Sequence, residues 1–239
     1  MKILSFDSAT ECATCALLED DKLLGEISFN YKKQHSILIM PMIDELLKNT
    51  DTSIDDIDGF AISKGPGSFT GLRIGMATFK GLSAGGNKPI IGISTLDAIA
   101  FSLAYTPGII CPIMDALREN VYTGVYRFHD DKMITLVDPM IINIKDLMTM
   151  LNEFHQHTTF LGDGVYKYKS LIMESFDAKS VNFAPTHLNM VRASSIGELG
   201  FMLLKDGKCD NPLTLHPIYL RKPQAEREYE EKYHKGIED

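Results

Sequence analysis

Short apolar stretches alternate with stretches of helical periodicity along the first part of the chain. An uninterrupted or alternating apolar run predicts a strand, and apolar side chains three and four apart predict a helix. This pattern predicts strands at residues 2–7, 12–18, 23–29, 59–63 and 89–93, and helices at residues 34–48 and 94–105. A further helix follows the glycine loop, contains Gly71, Gly75 and Thr78, and ends at Gly85-Gly86. Thr106-Pro107-Gly108 is the first strong break, so we place a lobe boundary there.

The second half of the chain repeats this order of elements loosely. Its predicted strands are residues 109–114, 121–128, 133–137 and 160–164, and its predicted helices are 144–154, 167–174 and 194–206. We therefore expect an α/β protein with duplicated architecture, an N-terminal lobe at 1–106 and a C-terminal lobe at 107–221. Residues 222–239 are charged and poor in aliphatics, which predicts a flexible or conditionally helical tail, with a docking segment as the alternative.

The sequence KGPGSFTGLRIGMATFKGLSAG, from Lys64 to Gly85, joins a predicted strand to a predicted helix through a glycine loop. Helix N-terminal N–H groups favour anions, so this arrangement resembles a phosphate site. The spacing from Gly65 matches neither a P-loop nor a dinucleotide fingerprint. The loop is equally compatible with a structural turn that precedes a tight helix contact.

The helix predicted at 34–48 carries more apolar side chains than one buried face requires. Ile37, Leu38 and Met40 extend the apolar surface beyond the main stripe, which suggests burial on a second side by a partner. Pro41 predicts a kink or a loose first turn. His35 has no second ligand one turn away, so capping or hydrogen bonding is the favoured interpretation over metal binding.

Composition narrows the classes of function. The net charge of −8 argues against this chain alone wrapping nucleic acid. No apolar run approaches a membrane span, and the N-terminus does not resemble a secretory signal, so we expect a cytoplasmic protein with reduced thiols. Cys12 and Cys15 form a C-x-x-C within a predicted strand, where their side chains point to opposite faces, and structural thiols are favoured over a zinc site.

Seven stretches together resemble the bacterial TsaB (YeaZ) family of the tRNA threonylcarbamoyladenosine pathway. They occur in family order over nearly all of residues 2–221: ILSFDSAT, HSILIMPMIDELL, KGPGSFTGLRIGMATFKGLS, PIIGISTLDAIA, PIMDALRENVYTGVY, FLGDGVYKY and PIYLR. The resemblance implies the actin-like ATPase (ASKHA, ribonuclease H-like) fold, with two α/β lobes that each contain a mixed five-stranded sheet.

The resemblance also implies a function. Proteins of this family bind and support a related catalytic subunit, TsaD, which transfers a threonylcarbamoyl group from threonylcarbamoyl-adenylate to N6 of adenosine 37 in tRNAs that read codons starting with A. A small ATPase, TsaE, joins the same assembly. We expect tRNA contact only through the complex, no membrane association, and a homodimer when the partner is absent.

Catalytic relatives carry two metal-binding histidines four residues apart, and these positions fall on Thr95 and Ile99 when PIIGISTLDAIA is aligned with that segment. Isoleucine cannot bind a metal. Asp7 is followed by no glycine that would let a phosphate approach the backbone. We therefore expect a non-catalytic subunit without metal or cofactor, in which Asp7 and Asp115 serve as turn caps. The positions interpreted as vestigial phosphate or nucleotide loops are Asp7, Ser8, Thr10, Gly65, Gly67, Ser68, Thr70, Asp115, Gly162 and Gly164.

A partner surface is expected on the first helix and on the small-residue helix that follows the glycine loop. The candidate interface residues are His35, Ile37, Leu38, Met42, Leu46, Gly71, Arg73, Gly75 and Thr78. The competing hypothesis is an enzyme of the same fold, either a phosphotransferase or a glycoprotease-like metallopeptidase. A phosphotransferase would need a glycine beside Asp7, and a metallopeptidase would need a histidine pair, and the sequence has neither.

Overall fold

A computed structural model describes residues 1–30 and 35–221, with side chains described from Ile37 onward after the gap. The strands are β1 (Lys2–Asp7), β2 (Cys12–Glu19), β3 (Lys22–Asn30), β4 (Gly59–Ser63), β5 (Ile90–Ile93), β6 (Ile109–Asp115), β7 (Asn120–His129), β8 (Lys132–Asn143), β9 (Thr158–Leu161) and β10 (Val181–Phe183). The α-helices are α1 (His35–Asn49), α2 (Phe69–Gly86), α3 (Thr95–Phe101), α4 (Ile144–Asn152), α5 (Gly164–Ser175) and α6 (Ala193–Lys205), and 3₁₀ turns form at Ile54–Asp56 and Thr186–Leu188.

The ten strands form two five-stranded sheets with the same internal plan. The first has the order β3-β2-β1-β4-β5, and the second has the order β8-β7-β6-β9-β10. In each sheet the central strand has one antiparallel and one parallel neighbour. Strand β1 is antiparallel to β2 and parallel to β4, and β6 is antiparallel to β7 and parallel to β9. This correspondence confirms the duplicated mixed α/β architecture predicted from the sequence.

Burial explains why the central strands are continuous apolar runs. In the first sheet, α1 and α2 contribute to the core on one face, with Phe79 packed against Phe6 and Phe60. The other face packs against α3 and α6, in a core shared with β6 of the second sheet. Strands covered by helices on both faces have no polar face, so they show no alternation in sequence.

The chain returns to the first sheet after completing the second. Helix α6 packs on β1, β2, β4 and β5, and Asp210 bonds the backbone of β5 through Ile90 and Gly92. The boundary near residue 107 lies between the two sheets. Residues from α6 onward, which the sequence analysis assigned to the C-terminal lobe, contact the first sheet, and the lobe limits stay a prediction. No local pattern reveals this return, because an amphipathic helix can cover either sheet equally well.

Several local predictions also differ from the structure. Strand β10 has only three residues and was not predicted, α3 ends at Phe101, and α5 begins at Gly164. The predicted tail at 222–239 and Gln34, the predicted first residue of the first helix, lie outside the described residues. No helix in the described part of the chain is long and apolar enough to cross a membrane.

Candidate functional site

A cleft opens between the two sheets at the carboxyl ends of their central strands. Two adjoining cavities, of about 490 Å³ and about 760 Å³, form it. Both are lined by Thr10, Glu11, Met114, Asp163 and Tyr166. Ligands of open α/β sheets bind at this edge, so the cleft is the place where a nucleotide site of this fold would lie.

The glycine loop borders the cleft and is bonded to the turn after β1 through the Ser68 amide. The Ser68 N–H donates to the Ala9 carbonyl at 2.6 Å, and the Ser68 hydroxyl accepts from the Gly71 N–H at 3.3 Å. A Cβ on Gly67 would overlap the Ala9 carbonyl, and Gly65 has a φ of +103°. These glycines let the loop close tightly on the turn after β1. A bound phosphate could use the Ser68 amide only if this contact with Ala9 opened.

Asp7 ends β1 and is fully buried beneath this loop. Burial raises the pKa of its carboxyl to about 6, and the Ser63 hydroxyl with the amides of Ala9 and Thr10 offsets this only in part. Neither carboxylate oxygen has a hydrogen bond of normal geometry among the described residues. The carboxyl is therefore shielded from the cleft, and it titrates nearer neutrality than an exposed aspartate does.

The turn that holds Asp7 packs directly on α2. The Ser8 hydroxyl donates to the Gly71 carbonyl at 2.8 Å, and the Thr10 hydroxyl, on the other side of the turn, donates to the Cys12 carbonyl at 3.3 Å. Thr70 lies on the exposed side of the first turn of α2. The two predicted phosphate loops are thus adjacent, and they bond to each other.

Asp115, at the end of β6, is the centre of a cluster in the second lobe. It accepts hydrogen bonds from Lys167 Nζ at 3.0 Å, from the Tyr168 hydroxyl at 3.1 Å and from the Leu117 N–H at 3.1 Å. The last bond is the turn-capping contact expected from the sequence. Asp163 joins the cluster by accepting from the Asp115 N–H at 3.0 Å, and burial raises the pKa of Asp163 to about 6.

The glycine turn at residues 162–164 leads into α5. Gly162 has a φ of +99°, and a Cβ there would overlap the carbonyl of Ile113 on β6. Its N–H donates to the side chain of Asn189 at 3.2 Å. Gly164 also faces the Ile113 carbonyl, with no room for a larger residue. Both glycines are required by close backbone packing, whether or not a ligand binds nearby.

The cationic groups of the cleft are engaged within the protein. Among the described lining residues these are Lys167, which pairs with Asp115, and Arg221, whose guanidinium donates to the Ala116 carbonyl. Glu11, Asp115 and Asp163 give the lining an excess of acidic groups. Polyphosphates bind where positive charge is available, and both cationic groups of the described lining are already engaged.

Thr95 and Ile99 are the residues that the sequence resemblance places at the two metal-binding histidines of catalytic relatives. Both are buried, and the Thr95 N–H donates to the Gly65 carbonyl at 2.9 Å. No histidine is among the described residues that line either cavity. The described parts of the chain also hold no cluster of three His, Cys, Asp or Glu side chains suited to a metal.

The apolar residues of α1 that were considered for a partner contact differ in burial. Ile37 is 66% exposed, Met40 is 51% exposed and Leu38 is half-buried. Met42 and Leu46 are buried in the core of the first lobe, so the prediction that they contact a partner directly is wrong. They fall on the same stripe as the core residues of α1, and only the neighbouring sheet decides which stripe is covered. The side chain of His35 lies outside the described residues.

The exposed face of helix α2 also differs from the face predicted to contact a partner. Gly71 and Gly75 are buried, and a Cβ on Gly75 would overlap the Ser8 hydroxyl, so the groove they form packs within the lobe. Thr78 is half-buried, and its hydroxyl donates to the Ile74 carbonyl at 3.0 Å. The exposed face consists of Thr70, Arg73, Ala77, Gly81, Ala84 and Gly85. Of the interface residues predicted on α2, Arg73 therefore lies on the exposed face, whereas Gly71 and Gly75 do not. The partner surface itself stays a prediction.

Sequence reasoning missed the residues that connect distant parts of the chain. Lys167 and Tyr168 reach Asp115, Arg221 reaches Ala116, and the Tyr126 hydroxyl donates to Asp97 at 2.7 Å. Tyr126 is buried, and an apolar pattern alone cannot distinguish such a residue from ordinary core. A buried tyrosine needs a partner for its hydroxyl, and this is the one clue that the sequence offered.

Comparison with known proteins gives consistent results along the chain. The family described as "TsaD: tRNA N6-adenosine threonylcarbamoyltransferase" matches residues 22–229. The tRNA threonylcarbamoyladenosine biosynthesis protein TsaB of Bacillus subtilis (strain 168) is 32% identical over 230 residues, which cover 96% of this chain and 98% of the relative.

Solved structures support the fold. YeaZ from Pseudomonas aeruginosa superimposes with a TM-score of 0.75 and 21% identity, over 92% of this chain and 99% of that one. The ROK hexokinase from Thermus thermophilus superimposes with a TM-score of 0.50 and 9% identity, over 87% of this chain and 100% of that one. The two-lobed actin-like ATPase fold is therefore shared with both.

Proposed function

The chain belongs to the TsaB (YeaZ) family of tRNA threonylcarbamoyladenosine biosynthesis proteins, and from this premise we propose that it is a non-catalytic subunit that binds and supports TsaD. TsaD then transfers the threonylcarbamoyl group to N6 of adenosine 37 in tRNAs that read codons starting with A. TsaE joins the assembly, and tRNA is contacted only through the complex. We place this assembly in the cytoplasm, where the free thiols of the described cysteines would remain reduced.

The exposed surface of α1 and α2 is the observation that carries the proposal. Ile37 and Met40 expose large apolar side chains on α1, and Ala77 and Gly81 leave the neighbouring face of α2 smooth. A Cβ on Gly81 would meet nothing within 4 Å. Small residues let a second helix approach closely, and apolar side chains beside them provide the buried area of a stable interface.

The closed glycine loop supports the non-catalytic part of the proposal. The Ser68 amide is bonded to Ala9, and the cationic groups that line the cleft are engaged. Thr95 and Ile99 provide no imidazole where catalytic relatives carry one. A subunit that only supports TsaD has no need of these groups.

The interface is tested with charged substitutions on the exposed face. Met40→Glu and Ala77→Glu should each weaken binding to TsaD by about tenfold or more, because each introduces a charge into an apolar contact. Met173→Glu is the matched control, since Met173 is 54% exposed on α5 in the other lobe. Met42→Glu is unsuitable, because a charge at this buried position would unfold the lobe. Unchanged TsaD affinity in both interface variants would show that another surface is used.

The non-catalytic role is tested by reconstitution of tRNA modification with this chain present or omitted. Modification should depend on the chain, and the chain alone should transfer nothing. Metal analysis and nucleotide calorimetry of the isolated chain test the competing enzyme hypothesis. Stoichiometric metal, or tight ATP binding by the isolated chain, would contradict the proposal.

The same face offers a route to self-association. An apolar helix pair without its partner can pair with a second copy about a twofold axis. We therefore expect a homodimer of the isolated chain that Met40→Glu disrupts, measured by sedimentation velocity. Addition of TsaD should replace the homodimer with a heterodimer.

A further inference from the structure

The C-terminal segment that follows α6 runs alongside α2. Lys80 Nζ donates to the Leu215 carbonyl at 2.9 Å, and the Ile218 N–H donates to the Lys64 carbonyl at 2.7 Å. Tyr219 then stacks on Phe69, with ring centroids 4.8 Å apart. The exposed face of α2 is thus bordered by α1 on one side and by this segment on the other.

Arg73 lies where the segment meets the N-terminal end of α2. Its guanidinium carbon is 3.8 Å from the centroid of the Phe69 ring and 5.8 Å from that of Tyr219. Its Nε donates to the Tyr219 hydroxyl at 3.0 Å. Contacts with two rings and one directed hydrogen bond restrict the Arg73 side chain before a partner binds. The side chain therefore loses less rotamer freedom on binding than an unrestrained arginine would.

The terminal nitrogens of Arg73 have no ion-pair partner in the part of the chain that the structure describes. Arg73 is exposed. Because Nε donates to Tyr219, the two terminal nitrogens are the donors left for a ligand. A planar guanidinium with paired donors matches a carboxylate, which accepts two parallel hydrogen bonds.

We propose that Arg73, held by Phe69 and Tyr219, binds a carboxylate of TsaD at the edge of the α1–α2 face. Tyr219 is then a positioning residue, so partner binding depends on a segment that lies 146 residues from Arg73 in sequence. This inference rests on the proposed function. It names the charged contact of that interface and the C-terminal segment that prepares it.

Three observations favour TsaD over tRNA as the source of the anion. Arg73 belongs to the same exposed face as Ala77 and Gly81, so a helix seated on those residues reaches it. The TsaD family matches residues 22–229, which include both helices, so the partner is a homologue able to pair across a pseudo-twofold axis. The net charge of −8 also disfavours a nucleic acid on this chain.

The test measures the affinity of the full chain for TsaD by calorimetry. Arg73→Ala should weaken binding by about tenfold, and Arg73→Lys should recover only part of the loss because lysine lacks the paired donors.

Tyr219→Ala should approach the effect of Arg73→Ala. Tyr219→Phe retains the stacked ring and should cost less than Tyr219→Ala. The double variant Arg73→Ala/Tyr219→Ala should be no weaker than Arg73→Ala alone, because both act through one contact.

Salt dependence separates a charged contact from a merely structural one. The wild-type affinity should fall between about 50 mM and about 300 mM salt more steeply than that of Arg73→Ala.

The control variant is Lys169→Ala, which should bind TsaD as the wild type does. Lys169 Nζ lies in the other lobe, 5.0 Å from the centroid of the Phe183 ring. Equal binding by Arg73→Ala and the wild type would overturn the inference. So would an effect of Arg73→Ala confined to homodimerisation or to tRNA binding by the complex. Absence of TsaD binding by the wild type would instead overturn the proposed function.

Discussion

Two buried carboxyls near the cleft, those of Asp7 and Asp163, have raised pKa values. Asp7 and Asp163 both have a pKa raised to about 6 by burial, and neither is placed to hold a metal in the described structure. Ionising these carboxyls in the folded protein costs free energy, because they are removed from water. In the unfolded chain they are solvated and this cost is absent. Each therefore destabilises the fold at neutral pH, although it lies where the fold family places functional groups.

The first prediction concerns the pH dependence of stability at Asp7. Its folded pKa lies above the unfolded value, so the folded state binds the extra proton, and stability is lost as the pH rises from about 4 through about 6. Asp7→Asn removes this loss. The free energy of unfolding of Asp7→Asn relative to wild type should therefore increase by about 1 to 1.5 kcal/mol from pH 5 to pH 8.

Urea unfolding at the two pH values measures this difference. Asp163→Asn should change in the same direction, and its side-chain oxygen can still accept from the Asp115 N–H. Parallel pH profiles for wild type and Asp7→Asn would show that the Asp7 carboxyl is not buried as described.

Helix α2 carries glycine on two faces, one packed inside the lobe and one exposed. Gly75 faces the turn after β1, where Ser8 leaves no room for a methyl group, and Gly81 faces outward with nothing nearby. The helical pattern alone cannot tell these faces apart, since both are spaced by three and four residues. The same residue type thus permits close packing inside the lobe at one position and a smooth outer surface at another.

The second prediction uses this contrast. Gly75→Ala should lower the free energy of unfolding by about 1 to 3 kcal/mol, because the new methyl group overlaps the Ser8 hydroxyl. Gly81→Ala should raise it by about 0.5 to 1 kcal/mol, because alanine is the better helix former. Ser8→Ala combined with Gly75→Ala should recover most of the loss. Chemical denaturation checks all three, and an equal loss for both glycine variants would contradict the assignment of faces.

The whole molecule is held together by contacts between its halves. Tyr126 of β7 donates to Asp97 of α3, Ser102 bonds Ser195, and Arg221 bonds Ala116. Burial raises the pKa of Asp97, and the Tyr126 hydroxyl partly offsets that rise. The two lobes therefore depend on buried polar contacts as well as on the shared apolar core.

The third prediction removes one of these contacts. Tyr126→Phe should lower the free energy of unfolding by about 1 to 3 kcal/mol, because the Asp97 carboxylate loses its buried donor. The loss should be smaller at a pH low enough to protonate Asp97. Tyr105→Phe serves as control, since Tyr105 is 71% exposed near the same helix. Equal effects of the two variants in urea unfolding would mean that the Tyr126 hydroxyl contributes nothing between the lobes.

The sequence by itself determined most of the elements, the doubled architecture and the family. Apolar strands, the glycine loop and the helix periodicities are local features, because they arise from neighbouring residues. The sequence also shows that Thr95 and Ile99 are not histidines and that no glycine directly follows Asp7. These are statements about which groups are present, and they need no coordinates.

Only the tertiary structure decided which faces are covered and which distant groups meet. It buried Met42, Leu46, Gly71 and Gly75, returned residues 193–221 to the first sheet and brought Tyr219 to Arg73. The physical reason is that a helix with apolar or small residues on two faces has no local preference for which face is buried. That choice depends on the total area buried when distant segments pack together, and spacing along the chain does not record it.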